Sequence, residues 1–218
     1  MIIAIDGPAA SGKSTTAKLV AKKLKMTYLD TGAMYRAVTL ALLRSNTNLD
    51  DYDSICQVVS ELELDIYDQG TKTVVRLDGE DVSKAIRSMQ VTENVSAVSG
   101  VKYVREAMVE IQRNIGKKTN CVVEGRDIGT VVFPDAEFKI FMVADDKMRA
   151  ERRLKELHLM GENRSLQEVM TNLKKRDQKD STRSHSPLLK ADEAIEIDTS
   201  MLSIDQQVEK IINLVRKK

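Results

Sequence analysis

The pattern of apolar and polar residues at the beginning of the chain predicts a buried strand, a loop and a helix. Met1–Ile5 is a short apolar run with β-branched residues, and Asp6 and Gly7 end it, as expected of a strand that is buried on both faces. Beyond Ser14, apolar residues recur at positions i, i+3, i+4 and i+7, which marks one face of a helix: Ala17, Val20, Ala21 and Leu24.

The same two patterns alternate along the rest of the chain. Further strands are predicted at Cys121–Glu124, Lys139–Val143 and Ala194–Asp198. Three more helical faces are marked by Met34, Ala37, Val38, Ala41 and Leu42, by Val104, Met108, Ile111 and Ile115, and by Val208, Ile211, Ile212 and Val215. Ser203–Gln206 is a capping box that begins the last helix. Alternating strands and helices imply a parallel sheet.

One stretch in the first half of the chain departs from this alternation. Leu64–Tyr67 and Lys72–Leu77 are strand-like and flank the turn-forming segment Asp68-Gln-Gly-Thr71, and Asp78 and Gly79 follow. We interpret the stretch as a β-hairpin in an inserted subdomain.

Composition indicates one large domain with an insertion. The 218 residues are 42% hydrophobic and contain only 3 Pro and 10 Gly, which argues against a disordered or collagen-like chain. The net charge is +1, which argues against polymeric nucleic acid or a membrane surface as partner. Cys56 and Cys121 have neither metal-site nor disulfide spacing and are expected to be free thiols. With no leader and no long apolar run, we expect a cytoplasmic protein, and we expect it to be a monomer.

The near-neutral total conceals a basic segment. Between Lys147 and Arg183, eleven Lys and Arg residues accompany six Asp and Glu residues. A helical charge run is usually a solvated face, which is our interpretation of Lys147, Lys155, Lys174 and Lys175. Arginines can instead close over a transferring phosphoryl group and stabilise its charge. The candidates for this role are Arg149, Arg153 and Arg164, which flank a predicted hinge at Met160-Gly161.

The predicted loop after the first strand carries a phosphate-binding motif. Gly7-Pro-Ala-Ala-Ser-Gly-Lys-Ser14 matches G-x-x-x-x-G-K-[ST]. The backbone N–H groups of such a loop, together with the helix N-terminus, bind a polyphosphate. Lys13 is predicted to neutralise the β- and γ-phosphates, and Ser14 to ligate the accompanying Mg²⁺. The implied ligand is Mg-ATP or Mg-GTP, bound by Gly7, Pro8, Ala9, Ala10, Ser11, Gly12, Lys13, Ser14 and Thr15.

Other motifs favour a kinase over two further classes of phosphate-loop protein. The GTPase patterns D-x-x-G and N-K-x-D do not occur in the sequence. A motor ATPase would end an apolar strand in Asp-Glu, whereas Cys121–Glu124 continues into Gly-Arg126-Asp127. Arg126 and Asp127 lie beyond the carboxyl end of a strand, where open α/β sheets bind their ligands.

A second candidate binding segment is Asp30-Thr-Gly-Ala-Met-Tyr-Arg36, which opens a predicted helix after the short run Tyr28-Leu29. Thr31 either caps this helix or binds a ligand at its N-terminus. Arg36, just over a turn later, is either a solvated surface charge or a ligand contact.

Taken together, these motifs resemble the bacterial cytidylate kinases, a branch of the nucleoside monophosphate kinase family. The resemblance spans nearly the whole chain in six ordered blocks: Gly7–Thr15, Asp30–Arg36, Leu77–Ser83, Val104–Ala107, Glu124–Asp135 and Arg176–Asp180 with Arg183. The first block is shared by many families, whereas Leu77-Asp-Gly-Glu-Asp-Val-Ser83 combined with Glu124-Gly-Arg-Asp-Ile-Gly-Thr-Val-Val-Phe-Pro-Asp135 is specific. Members of the family often carry Asp where this chain has Glu124. The longer side chain leaves two alternatives for Glu124, a direct contact with the metal or one through a water molecule.

The resemblance implies an α/β fold: a P-loop NTP-binding core with a five-stranded parallel sheet flanked by helices, an inserted β-containing NMP-binding subdomain and a short lid. We accordingly divide the single domain, residues 1–218, into three regions. These are a core (1–30, 117–147 and 184–218), an NMP-binding region with the insertion (31–116) and a lid region (148–183).

The implied reaction is phosphoryl transfer from Mg-ATP to CMP or dCMP. The alternatives are another small-molecule P-loop kinase and a non-catalytic nucleotide-dependent binding protein. By the resemblance, the acceptor phosphate is held by Thr31, Arg36 and Arg126. The cytosine edge is recognised by Ser96, Arg105 and Asp127. The pentose faces Arg176 and Asp180, with Arg183 close by. Catalytic roles are predicted for Lys13, Arg126, Arg149, Arg153 and Arg183.

Overall fold

The computed structural model describes residues 1–68, 73–159 and 161–217, which contain eight strands and eight α-helices. The strands are β1 (Ile2–Asp6), β2 (Thr27–Asp30), β3 (Leu64–Asp68), β4 (Thr73–Leu77), β5 (Glu80–Asp81), β6 (Cys121–Gly125), β7 (Phe138–Val143) and β8 (Ile195–Asp198). The helices are α1 (Lys13–Leu24), α2 (Thr31–Arg44), α3 (Tyr52–Glu61), α4 (Met89–Val98), α5 (Lys102–Gly116), α6 (Asp146–Leu159), α7 (Leu166–Thr182) and α8 (Ile204–Arg216). A 3₁₀ turn covers Ala85–Arg87 and a π-helical turn Ile128–Val132.

The central sheet has five parallel strands in the order β2-β6-β1-β7-β8. The predicted α/β class and five-stranded parallel sheet are therefore confirmed, and each predicted core strand matches an observed one within a residue or two at its ends. All five strands lie within the segments assigned to the core, 1–30, 117–147 and 184–218.

Helices cover both faces of this sheet, which explains why its strands read as continuous apolar runs. Ile3 and Ile5 pack against α1 and α8, whereas Ala4 between them faces α2 and α5. In β6, Val122 and Val123 divide between the two faces in the same way. The capping box predicted for the last helix is present at Ser203, whose side chain accepts from the Gln206 N–H.

A second, antiparallel sheet, β3-β4-β5, packs on α2. Its strands β3 and β4 confirm the predicted hairpin, although the predicted turn lies mostly outside the described residues, at 69–72. Asp78 and Gly79 have φ angles of +50° and +80°, and this left-handed backbone makes the tight turn into β5.

Helices α6 and α7 cover most of the segment that we predict to be the lid region, 148–183, and they pack against the phosphate loop. Ala150 and Leu157 of α6 and Val169 and Leu173 of α7 bury Ala9. The predicted hinge lies partly outside the described residues, since 160 is not among them, but Gly161 is in a left-handed conformation with φ +81°. No helix in the described part of the chain combines the length and apolar character that crossing a membrane requires.

Candidate active site

Three neighbouring strands of the central sheet end at one cavity of about 430 Å³. The phosphate loop follows β1, helix α2 begins directly after β2, and Arg126 and Asp127 follow β6. Because β2, β6 and β1 are adjacent and parallel, their carboxyl ends meet at one edge of the sheet. Side chains of α7 line the cavity from the lid region.

The conformation of the phosphate loop explains why glycine occupies two of its positions. Gly7 has φ +149°, and a Cβ there would lie 2.2 Å from the Met142 carbonyl oxygen in β7. Gly12 has φ +90° immediately before α1. Between them, Ala10 adopts φ +59°, a conformation that residues with a Cβ rarely take. The loop thus turns back on itself at the N-terminus of α1, where unpaired N–H groups attract anions.

Lys13 is a buried cation at the end of this loop. It is 5% exposed, and its Nζ donates to the Pro8 carbonyl oxygen at 2.9 Å. Burial, reinforced by the nearby charge of Arg126, lowers the pKa of Lys13 to about 7. A polyphosphate in the loop would supply the counter-charge that the buried ammonium lacks.

Ser14 and Tyr28 both donate to a buried carboxylate, Glu124. The Ser14 hydroxyl donates to Oε2 at 2.8 Å, and the Tyr28 hydroxyl to Oε1 at 2.6 Å. Burial, together with the charge of Asp30, raises the pKa of Glu124 above its usual range. Mg²⁺ prefers such oxygen ligands and usually keeps several waters, so this donor set fits a magnesium ion bound with a nucleotide.

Asp6 ties the end of β1 to the segment that follows β6. Its two carboxylate oxygens accept from the N–H groups of Ile128 and Gly129 at 2.9 and 2.8 Å, in the first turn of the π-helical segment. Burial raises the pKa of Asp6 to about 6, and these two hydrogen bonds, which lower the pKa, offset only part of that increase. The bonds fix the segment that carries Asp127.

The raised pKa of Asp6 predicts a pH-dependent stability. The pKa of Asp6 is about 6 in the folded protein, against an ordinary value of 3.8. Between these two pH values the folded state binds more protons than the unfolded state, so the free energy of unfolding falls as pH rises through this range. We expect wild type to lose roughly 3 kcal/mol of unfolding free energy relative to Asp6→Asn across this window. Urea unfolding of both proteins from pH 4 to 7 measures the difference, and parallel curves would contradict the assignment.

A second buried cluster surrounds Asp127. Its carboxylate forms an ion pair with Arg105, and Nη2 of Arg183 lies 3.6 Å from its other oxygen. Arg105 also stacks over the ring of Tyr35, 5.1 Å from the centroid, and donates to the Ser99 carbonyl oxygen at 3.0 Å. Asp127 and Arg105 are each 3% exposed, so both are held rigidly in a dry part of the cavity.

Asp180 of α7 joins the lid region to the residues after β6. It accepts from Arg126 Nε at 3.0 Å and from the Ser96 hydroxyl at 3.2 Å. The neighbouring arginines Arg126 and Arg176 hold the pKa of Asp180 below its usual range despite its burial.

Positive charge prevails in the cavity. Among the described residues, no carboxylate forms an ion pair with Lys13, Arg36 or Arg176. Arg36 donates to Thr92 Oγ1 at 2.9 Å and to the Ile86 carbonyl oxygen at 3.3 Å. Burial lowers the pKa of Arg36 to about 9 and that of Arg176 to about 10, and both remain charged at neutral pH. Cations outnumber carboxylates among the lining residues, and those without a carboxylate partner favour anionic ligands.

The cavity brings together most of the predicted site residues. Those that line it are Ala9, Ala10, Gly12, Lys13, Ser14, Thr15, Thr31, Arg36, Arg105, Arg126, Asp127, Arg153, Arg176, Asp180 and Arg183. The loop residues Gly7, Pro8 and Ser11 are not among the lining residues. Ser96 lines an adjoining cavity of about 260 Å³, together with Arg164.

Two predicted residues have other contacts than expected. The helix-capping interpretation of Thr31 is wrong, because Asp30 caps α2 by accepting from the Ala33 N–H at 2.9 Å. The Thr31 hydroxyl donates instead to the Glu124 carbonyl oxygen at 2.7 Å. Arg149 is not among the lining residues and contacts Ala9 and Asp177.

Sequence reasoning missed Asp6, Tyr28 and Asp177. Asp6 ends an apolar strand, a position shared by many residues that only terminate a strand. Tyr28 reads as one more apolar strand residue, and Asp177 stands in the Arg176–Asp180 block without a role of its own. The available signal was the position of Asp6 and Tyr28 next to the ends of strands that lead into the site.

Comparisons with known proteins show what this chain resembles over its length. The model of the cytidylate kinase family matches residues 3–217. A cytidylate kinase of Fusobacterium nucleatum is 50% identical over 218 residues, which cover 100% of this chain and 96% of that protein. One from Clostridioides difficile is 45% identical over 215 residues, covering 99% and 98%, and one from Bacillus cereus is 48% identical over 214 residues, covering 98% and 95%.

Two solved structures share the fold at low sequence identity. An uncharacterized protein from Eubacterium ventriosum has a TM-score of 0.54 at 13% identity and covers 100% of this chain and 99% of its own. A shikimate kinase from Bacteroides thetaiotaomicron has a TM-score of 0.50 at 12% identity, with coverage of 99% and 98%. The motif resemblance is thus confirmed over the full length, and the chain belongs to the cytidylate kinase family.

Proposed function

We propose that this protein transfers the γ-phosphoryl group of Mg-ATP to CMP or dCMP, giving ADP and CDP or dCDP. The observation that carries the proposal is the buried Asp127, which lies between Arg105 and Arg183 in the same cavity as the phosphate loop. A site for a donor polyphosphate and a buried polar pocket would therefore share one cavity. Membership of the cytidylate kinase family supports the same reaction.

The pocket around Asp127 fits a cytosine edge. The exocyclic amine of cytosine donates hydrogen bonds, and an ionised carboxylate accepts them. Arg105 offers N–H groups to the ring nitrogen and carbonyl oxygen beside that amine. Uracil presents a carbonyl in place of the amine, so two hydrogen-bond acceptors would face each other, a mismatch that discriminates strongly between ligands.

We propose that the acceptor phosphate lies between this pocket and the phosphate loop. Arg36 and Arg126 would hold it together with the N-terminus of α2 at Thr31, since Arg36 has no carboxylate partner among the described residues. Arg176 and Asp180 would face the pentose. The phosphate oxygen is already ionised near neutral pH, so the attack needs no protein base.

Ser14 would hold the magnesium ion bound with ATP, and Glu124 lies directly behind it. The ion would neutralise charge on the β- and γ-phosphates. Glu124 already accepts from Ser14 and Tyr28, so both the hydroxyl and the carboxylate are oriented before the nucleotide binds. The predicted metal role of Ser14 is consistent with this arrangement.

Catalysis would rest on positioning and electrostatics without a covalent protein intermediate. Lys13, Arg126, Arg153 and Arg183 line the cavity and would stabilise charge on the transferring group. We propose that the lid region, 148–183, closes over the core and the NMP-binding region, 31–116, to exclude water. The monomeric state and the cytoplasmic location stay predictions from sequence.

A coupled assay of ADP release tests the proposed function. With ATP and Mg²⁺ present, we expect ADP release on addition of CMP or dCMP, and at most about a hundredth of that kcat/KM with UMP, because the uracil carbonyl would face the Asp127 carboxylate, acceptor against acceptor. Turnover with an unrelated acceptor alone would indicate another small-molecule kinase. ATP binding without turnover on any nucleoside monophosphate would indicate a non-catalytic binding protein.

A further inference from the structure

The backbone of one phosphate-loop residue, Ala9, is held by two side chains, one from α6 and one from α7. The Ala9 N–H donates to Asp177 Oδ1 at 3.1 Å, and Nη1 of Arg149 donates to the Ala9 carbonyl oxygen, also at 3.1 Å. Arg149 and Asp177 form an ion pair with each other. Both polar groups of the Ala9 residue are therefore bonded to one charged pair, which we name the Ala9 clamp.

The Ala9 clamp is largely buried and well packed. Arg149 and Ala9 are each 5% exposed, and the Asp177 side chain is 17% exposed. The Ala9 methyl packs among apolar side chains of α6 and α7, including Ala150 and Leu173. Charge-assisted hydrogen bonds in such an environment are stronger than those exposed to water.

The clamped residue directly precedes the strained point of the loop. Ala10 has φ +59°, which costs a residue with a Cβ free energy and persists only when the surroundings enforce it. Two hydrogen bonds fix the residue that precedes Ala10, and the one to the Ala9 carbonyl fixes the peptide that joins the two residues, which supplies that enforcement. Without the Ala9 clamp, the loop would be free to relax away from the shape that presents its N–H groups to phosphate.

We infer that Asp177 and Arg149 are positioning residues that hold the phosphate loop in its binding shape. This role differs from the direct contact with the transferring group expected of Arg149, and it gives Asp177 a function that its place in the Arg176–Asp180 block did not indicate. The consequence for phosphoryl transfer rests on the proposed function, whereas the effect on the loop itself does not.

The position of Asp177 on α7 also links the two halves of the cavity. Asp180 lies one helical turn further along the same face and bonds Arg126 and Ser96 on the acceptor side. A single helix therefore contacts the donor loop through Asp177 and the acceptor side through Asp180. Its placement would set the distance between donor and acceptor groups.

Amide hydrogen exchange of the full-length protein without ligand tests the Ala9 clamp directly. In Asp177→Ala, peptides that cover residues 7–12 are expected to exchange at least about tenfold faster than in wild type, because a charge-assisted hydrogen bond is lost. Asp177→Asn keeps an oxygen that can accept from the Ala9 N–H and is expected to restore most of the protection. Unchanged exchange of these peptides in Asp177→Ala would overturn the inference.

Asp146→Ala is the matched control, because Asp146 pairs with the same guanidinium but does not contact the loop. Its loop exchange is expected to stay within about threefold of wild type. Equal acceleration in Asp146→Ala and Asp177→Ala would assign the effect to general loosening of α6 and would also overturn the inference.

Kinetics of the same variants provide the functional readout. We expect Asp177→Ala to lower kcat at least about tenfold while the KM for CMP stays within about threefold, since only the donor phosphates are misplaced. Asp177→Asn should recover most of the rate. If wild type fails to phosphorylate CMP but exchange responds as expected, the proposed function is wrong and the Ala9 clamp stands. Normal kcat in Asp177→Ala would refute the positioning role.

Discussion

Replacement of Lys13 by methionine is expected to lower kcat at least about 100-fold. Lys13 is buried, donates to Pro8 and forms no ion pair with a described carboxylate, so its charge is available to the phosphates. That charge opposes the negative charge that builds up on the transferring group. Methionine has a similar length and no charge, which isolates the electrostatic effect from the loss of volume. Steady-state turnover at saturating ATP and CMP measures the change.

Two controls accompany this variant. Lys22→Met removes an exposed lysine from the same helix, α1, and is expected to leave kcat within about twofold of wild type. Thermal unfolding of Lys13→Met should show no loss of stability, because burial already lowers the pKa of Lys13 to about 7 and disfavours the charge. Near-normal turnover in a folded Lys13→Met protein would refute the role assigned to this residue.

Replacement of Asp127 by alanine is expected to lower kcat/KM for CMP at least about 100-fold. The affinity for ATP should stay within about threefold, because Asp127 faces the acceptor pocket with Arg105 and Arg183. The variant also leaves two buried arginines without their carboxylate, which costs about 3–5 kcal/mol of unfolding free energy. Kinetics with CMP and calorimetry with ATP, both on protein shown to be folded, measure the two effects.

Asp127→Asn preserves the shape of the pocket and keeps the comparison valid if the alanine variant fails to fold. Its amide can donate to the carbonyl of uracil, so we expect the preference for CMP over UMP to narrow at least about tenfold. Asp135→Ala removes an exposed carboxylate of the same motif and should leave both substrates unaffected. Equal losses of CMP and ATP affinity in the Asp127 variants would contradict the base-reading role.

The fold could be predicted largely from local patterns. The parallel strands are apolar runs because helices cover both faces of the sheet, as Ile3 and Ala4 illustrate by facing opposite layers. The hairpin β3-β4 could be predicted from two strand-like segments and the turn-forming residues between and after them.

The site was predictable where its residues belong to a contiguous motif, and less so where it depends on contacts between distant segments. Lys13 and Asp127 stand in such motifs. Asp177 and Ala9 are 168 residues apart, and their hydrogen bond follows from the packing of α7 on the phosphate loop. Likewise, Glu124 gains its partner Tyr28 because β2 and β6 are neighbours in the sheet, across 96 residues of sequence.

A crystal structure of the protein with CMP bound tests the central claim most directly, because it shows which groups the nucleotide contacts. We predict the cytosine amine within hydrogen-bond distance of Asp127, the ring edge against Arg105, and the phosphate against Arg36 and Arg126 on the side that faces the phosphate loop. CMP bound with its base away from Asp127, or outside the cavity that contains Lys13, would contradict the account.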